Sequence, residues 1–325
     1  MRLGYIFPGQ GSQYVGMGHD LYQNFEVARE MFHKANEILK FDIMRLCFFG
    51  PPEELTRTRN CQPAVFLISM VALRCLEEYF RSRVGHGYNH ILNPIVSSGL
   101  SLGEYSALVA AGAISFEEAL ILVRKRGEFM EEACNENPGT MLAIIGMKRK
   151  EVEEICKESG AEIANINSPD QIVVAGRIQN IEKAEELAKA NGAKRVVRLN
   201  VAGAFHSSLM ESAAKKLMYY LNDVGIKRPK FTVVSNVNAY FSFLPQEIKA
   251  NLINQINHTT FWVDCVETMV DLGVTAFLEI GPGKTLRGLI RKIDSNIEVY
   301  NIETTVDIKS FYEELMLEEV PNGNA

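Results

Sequence analysis

The chain has 325 residues, about twice the usual length of a single domain, with 47% apolar and 23% charged residues and a net charge of -6. That composition excludes the disordered classes, and the negative balance without any long Lys/Arg run excludes nucleic acid as an expected partner. The six cysteines form no C-x-x-C pair and stand apart from the six histidines, so neither a metal site nor a redox pair is expected; reduced core thiols in a cytoplasmic protein are.

The first apolar run, Leu3 to Phe7, reads as a short strand stopped by Pro8 and Gly9, too early for a signal peptide. No run of 18 apolar residues follows, so neither secretion nor membrane spanning is expected. Phe25 to Leu39 and Gln62 to Phe80 carry apolar residues at helical spacing. Pro94 to Ser98 predicts a second short strand, and Leu102 to Ala111 a buried helix ended by Gly112.

From Gly139 to Leu199 the rhythm changes to TMLAII strand, KEVEEICKES helix, AEIAN strand, QIVVA strand, NIEKAEELAKANG helix and KRVVRL strand. This β-α-β-β-α-β order is that of a ferredoxin-like unit. A helix around Leu209 to Val224, a strand Phe231 to Val237, a helix to about Ile256, a helix Trp262 to Leu272 and the strand TAFLEIGPG then return to the earlier rhythm. The expected fold class is therefore α/β: a large hydrolase-like domain with a parallel-sheet core, plus an inserted ferredoxin-like subdomain. Residues 1–138 and 200–312 form the first, residues 139–199 the second, and residues 313–325 a C-terminal tail, acidic and then rich in Pro, Gly and Asn.

Gly99-Leu100-Ser101-Leu102-Gly103 fits G-x-S-x-G between the second strand and the following helix. In a nucleophile elbow the glycines admit a turn too tight for a Cβ, the serine hydroxyl is exposed, and the helix N-terminus favours nearby negative charge. The motif alone also fits an ordinary glycine turn. A serine needs a base. His19, His33, His86, His90 and His258 lie in polar or helical settings suited to solvated or structural roles, whereas His206 lies in the loop VAGAFHSS just after the insertion. Two rival motifs fail: GQGSQY has Tyr14 where a dinucleotide fingerprint needs glycine, and GPGKT has Leu278 where a P-loop needs one.

FPGQGSQYVGMG at residues 7–18, GLSLGEYSALVAAG at 99–112, AFHSSLM at 204–210 and FLEIGPGKTLRGL at 277–289, taken together and in this order, resemble the malonyl-CoA:acyl carrier protein transacylase family. The resemblance runs from residue 3 to about 305. It implies a transferase that moves malonyl from malonyl-CoA through a malonyl-serine to the phosphopantetheine thiol of an acyl carrier protein, in fatty-acid or polyketide synthesis. It implies no bound cofactor.

By the same resemblance Ser101 is the nucleophile and His206 its base, the imidazole being oriented by a backbone carbonyl near Gln255 instead of an aspartate. The N–H groups of Gln10 and Leu102 form the oxyanion hole, Arg126 holds the substrate carboxylate, and Gln62 lines the pocket. Plainer roles would make Gln10 a turn cap and Arg126 a surface helix residue. Leu100 stands where most members have histidine, which makes the pocket beside Ser101 more apolar. Phe205 is expected to crowd out an α-methyl group and so select malonyl over methylmalonyl.

Arg149, Lys194, Arg195, Lys215, Lys216 and Arg287 are candidates for a basic face toward an acidic carrier protein, against the plain alternative of a solvated charged face. Two other functions compete: an acyl hydrolase or thioesterase, and an inert docking scaffold for carrier protein. Arg126 counts against the hydrolases of the family, which carry an uncharged residue there, and the intact Ser101, His206 and Arg126 count against decay.

Overall fold

The computed structural model describes residues 1–87 and 91–319; His90 and residues 320–325 lie outside them. Its strands, in chain order, are β1 (Leu3–Phe7), β2 (Val96–Gly99), β3 (Thr140–Ile145), β4 (Glu162–Ser168), β5 (Gln171–Gly176), β6 (Arg195–Arg198), β7 (Thr232–Val233), β8 (Ala276–Ile280) and β9 (Glu298–Ile302). They form two sheets. The first is parallel throughout, in the order β7-β2-β1-β8-β9. Every residue of β1, β2 and β8 is buried, because helices cover both faces of a parallel sheet and leave no solvent side for polar alternation.

The second sheet is antiparallel, in the order β4-β5-β3-β6, with helix Arg149–Ser159 joining β3 to β4 and helix Ile178–Ala190 joining β5 to β6. Its two faces follow the two-residue period of a strand. Leu142, Ile144, Ile172 and Val174 pack against those two helices, while Met141, Ala143, Val173 and Ala175 face the main core. Its edge strand β4 is tied to the large body, where Ile166 N–H donates to Thr260 O and Thr260 N–H to Ala164 O.

One helix, Thr58–Val84, runs through the main core and is buried on nearly every side. Pro63 removes one internal N–H and leaves the Arg59 carbonyl without its helical donor. Arg124, on helix Phe116–Glu136, supplies a replacement: its Nη1 donates to Arg59 O at 2.9 Å. Gly127 lies at the same crossing, where a Cβ would come within 2.8 Å of Thr58 O. The proline and the glycine thus let two long helices touch one turn before Gln62 and directly beside Arg126.

The strand expected over Phe231 to Val237 is shorter, covering only Thr232–Val233, because Asn236 leaves the sheet to bond the loop after β2. Helix Thr305–Glu319 crosses the boundary expected at residue 313 and buries Leu315, so residues 313–319 are not a tail; residues 320–325 lie outside the described part. Helix Phe116–Glu136, helix Thr285–Ile293 and β9 are additions to the elements read from the sequence. The cysteines are all free, five buried and Cys156 half-buried, so Cys156 departs from the expected core position. Among the described residues no helix is long and apolar enough to cross a membrane.

Candidate active site

Gly99 ends β2 and Gly103 opens helix Gly103–Ala110, with Ser101 between them at φ +52°. The glycines are required by proximity. A Cβ on Gly99 would sit 2.1 Å from the Gly103 carbonyl carbon, and one on Gly103 would sit 2.0 Å from Phe7 O. The strain falls instead on the serine, whose left-handed backbone is uncommon for a residue with a Cβ. His206 shares this conformation at φ +56°.

Ser101 Oγ lies 2.8 Å from His206 Nε2, and His206 Nδ1 lies 2.7 Å from Gln255 O. A carbonyl oxygen only accepts, so Nδ1 carries the proton and Nε2 presents a lone pair to the serine hydroxyl. No carboxylate is needed to set the tautomer. Arg126 Nη2 donates to Ser101 Oγ at 2.9 Å and to Gln255 Oε1 at 3.0 Å, and Nη1 donates to Gln62 Oε1 at 2.8 Å. Arg126 is 1% exposed. It is therefore no surface helix residue. All its hydrogen-bond acceptors are neutral, Nε has no partner, and it forms no ion pair among the described residues. The Glu104 carboxylate reaches it only through Gln255, so this buried cation has no directly paired anion.

Ser101, His206, Arg126 and Gln62 line a cavity of about 160 Å³, which Gln10, Leu100 and Phe205 also border. Met130 closes it on one side, and Met141, Val173, Asn165 and Asn167 reach it from the antiparallel sheet. The site therefore lies between the two sheets. The N–H groups of Gln10 and Leu102 have no acceptor among the described residues, and Gln10 borders the cavity. Gly9 holds the Gln10 loop against the elbow, since its missing Cβ would come within 2.4 Å of Leu100 O. Ser101 N–H points elsewhere, to Asn236 Oδ1 at 2.6 Å.

Sequence reasoning missed two buried groups behind the serine, Asn236 and Glu104. The Glu104 carboxylate accepts from Gln255 Nε2 at 2.6 Å and from Asn236 N–H at 3.0 Å. Burial raises its pKa above the ordinary carboxylate value. The glutamate was visible at the end of GLSLGE, three residues after Ser101, whereas Asn236 carries no local signal. Of the basic candidates, Arg149, Lys215 and Lys216 are already paired with acidic neighbours, and Arg287 donates to Asn301. Lys194 and Arg195 are exposed and form no ion pair among the described residues.

The GPGKT segment has a use of its own. The buried Glu279 carboxylate accepts from the N–H groups of Leu286 and Arg287, so the helix N-terminus that a P-loop would offer to phosphate is already filled. Among the described residues, no cluster of three or more His, Cys, Asp or Glu is arranged to hold a metal ion.

Burial, with Arg126 adding to it, pushes the His206 imidazole down to about 4 from 6.5. The unfolded chain binds the proton first as pH falls, so this group removes stability between pH 6.5 and 4, by up to about 3 kcal/mol. Chemical denaturation at pH 7 and pH 4.5 checks this: wild type should lose more stability across the interval than His206→Gln, which has no proton to gain. Equal losses would contradict the shift.

Residues 4–306 match the acyl transferase domain family. The malonyl CoA-acyl carrier protein transacylase of Bacillus subtilis (strain 168) is 43% identical over 302 residues, covering 91% of this chain and 92% of that protein. Its counterpart in Staphylococcus aureus (strain MRSA252) is 41% identical over 313 residues, covering 95% and 97%. Among solved structures, the malonyl CoA-acyl carrier protein transacylase of Clostridium perfringens superposes with a TM-score of 0.91 at 38% identity, covering all of both chains. A malonyl-transacylase solved in complex with a type II polyketide synthase acyl carrier protein gives 0.91 at 36% identity, covering 97% of this chain and 100% of that one. The chain belongs to the acyl transferase domain family, and within it to the malonyl-CoA:acyl carrier protein transacylases.

Proposed function

We propose that the chain transfers malonyl from malonyl-CoA to the phosphopantetheine thiol of an acyl carrier protein through a malonyl-Ser101 intermediate. The observation that carries this reading is the buried Arg126 guanidinium, without a directly paired carboxylate, 2.9 Å from Ser101 Oγ. In malonyl the carboxylate is one methylene away from the reacting carbonyl, so its binding group must lie almost on top of the nucleophile. Arg126 does. A longer diacid would place its carboxylate beyond reach, and a neutral acyl group would leave the cation buried and unpaired.

His206 Nε2 takes the Ser101 proton as Oγ attacks the thioester carbonyl. The oxyanion forms against the N–H groups of Leu102 and Gln10, each worth about 3 to 4 kcal/mol by the usual cost of losing one such donor. Collapse expels coenzyme A as its thiol, with the proton returned by His206. The carrier-protein thiol then gives its proton to His206 and attacks the acyl-serine, so the two half-reactions mirror each other. Each proton transfer in this scheme passes through His206.

The large body reads as hydrolase-like and the antiparallel unit of residues 139–199 as ferredoxin-like, supported by the parallel sheet with its serine elbow and by the β-α-β-β-α-β order. Exposed Lys194 and Arg195 on the small sheet are the strongest of the basic candidates for carrier docking. The chemistry required is the same for a fatty-acid or a polyketide carrier, and a cytoplasmic location fits this substrate pair. Incubation with malonyl-CoA and phosphopantetheinylated carrier protein tests the assignment: the carrier should gain one malonyl mass unit. Coenzyme A release with no gain on the carrier would instead support a hydrolase.

Phe205, 6% exposed at the cavity wall, sets the room beside the acyl α-carbon. Phe205→Ser is expected to raise the methylmalonyl-to-malonyl ratio of kcat/KM about 10-fold, the scale of one methyl group in an apolar pocket. An unchanged ratio in competition assays would remove Phe205 from selectivity.

A further inference from the structure

Ser101 depends on groups outside its own loop to stay at φ +52°. Its N–H donates to Asn236 Oδ1 at 2.6 Å, and its carbonyl accepts from Gln255 Nε2 at 3.0 Å. Asn236 Nδ2 also donates to Gly99 O at 2.8 Å, so one carboxamide spans both limbs of the elbow. These two bonds fix which end of the amide faces which peptide group. The Asn236 backbone N–H and Gln255 Nε2 meet on the same oxygen of Glu104, in the first turn of the helix that the elbow starts. Asn236 and Gln255 are both 0% exposed, and Glu104 is 3% exposed.

We infer that Asn236, anchored with Gln255 on Glu104, is a positioning residue for the nucleophile. It holds the left-handed Ser101 backbone so that Oγ meets His206 and Arg126 together. Without its carboxamide, Ser101 N–H and Gly99 O lose their partners, and the serine is free to relax toward negative φ, which turns Oγ away from both. Asn236 touches no substrate. The inference rests on Ser101 as the acyl-bearing residue.

Rapid-quench acylation by malonyl-CoA, without carrier protein, tests the clamp by comparing Asn236→Ala and Asn236→Asp with wild type and with Ser101→Ala. In Asn236→Ala the saturating acylation rate is expected to fall about 100-fold, the scale of a misplacement of about 1 Å, with half-saturation unchanged within about threefold. Asn236→Asp keeps an acceptor for Ser101 N–H and should recover about tenfold of that loss. If the alanine variant does not fold, Asn236→Asp alone decides: a lowered rate with unchanged half-saturation supports the clamp, and a wild-type rate overturns it. A folded Asn236→Ala that acylates like wild type, or one that loses only affinity, also overturns it. If wild type and Ser101→Ala are labelled alike, the serine assignment fails and the clamp fails with it; labelled wild type beside fully active Asn236 variants sinks the clamp alone.

Discussion

Ser101→Ala is expected to abolish malonyl labelling and to lower transfer by on the order of 10⁴-fold or more, the loss typical when a covalent nucleophile is removed from an acyl-transfer site. His206→Ala should fall nearly as far, because the two side chains form one unit at 2.8 Å and removing either leaves the other without its task. Combining them should cost little more than either alone. Intact mass after incubation with malonyl-CoA, beside steady-state transfer to carrier protein, measures both. A labelled Ser101→Ala protein would place the acyl group on another residue and refute the elbow as the reactive site. The cavity and the Gln255 carbonyl should survive these changes, so thermal melting of the variants separates lost chemistry from lost folding.

Arg126→Ala should reduce kcat/KM for malonyl-CoA about 10² to 10⁴-fold, the range for truncating one member of a buried charge pair. It should at the same time raise the relative use of acetyl-CoA, since the pocket then lacks a cation that a neutral acyl group would leave unpaired. Direct competition between the two thioesters gives the ratio. Equal malonyl turnover in the variant would end the role of Arg126 as carboxylate binder. A second effect has a definite sign. Arg126 helps to hold the His206 pKa down, so its removal should move the acid limb of acylation to higher pH. That displacement is a direct electrostatic readout, independent of substrate affinity.

The elbow was legible before any fold was known because its requirements are local. Two glycines are needed where backbone meets backbone, and the serine between strand and helix follows from their spacing. TMLAII and QIVVA were legible as strands because each is a short apolar run between helix-spaced segments; both are buried almost throughout, so which face each residue takes became visible only in the folded sheet. Helix Phe116–Glu136 was harder to see. Its arginines and glutamates look like those of an exposed helix, although Arg126 is buried by the helix it crosses. The P-loop-like GPGKT could be dismissed by its missing glycine, but the carboxylate that fills the helix N-terminus is recruited from the preceding strand and was visible only once folded.

By itself, then, the sequence determined the candidate nucleophile, its candidate base, the α/β class and the family, because these rest on short-range spacing and on motifs kept in order along the chain. The tertiary structure alone decided how they act. Gln62, Arg126, Asn236 and Gln255 come from four separate segments, and their meeting at Ser101 depends on helix crossings and sheet order that no local pattern encodes. In the proposed reading the charge of Arg126 is a specificity device because burial removes water and the fold pairs no carboxylate with it directly, Glu104 reaching it only through Gln255, so that a substrate carboxylate completes the site.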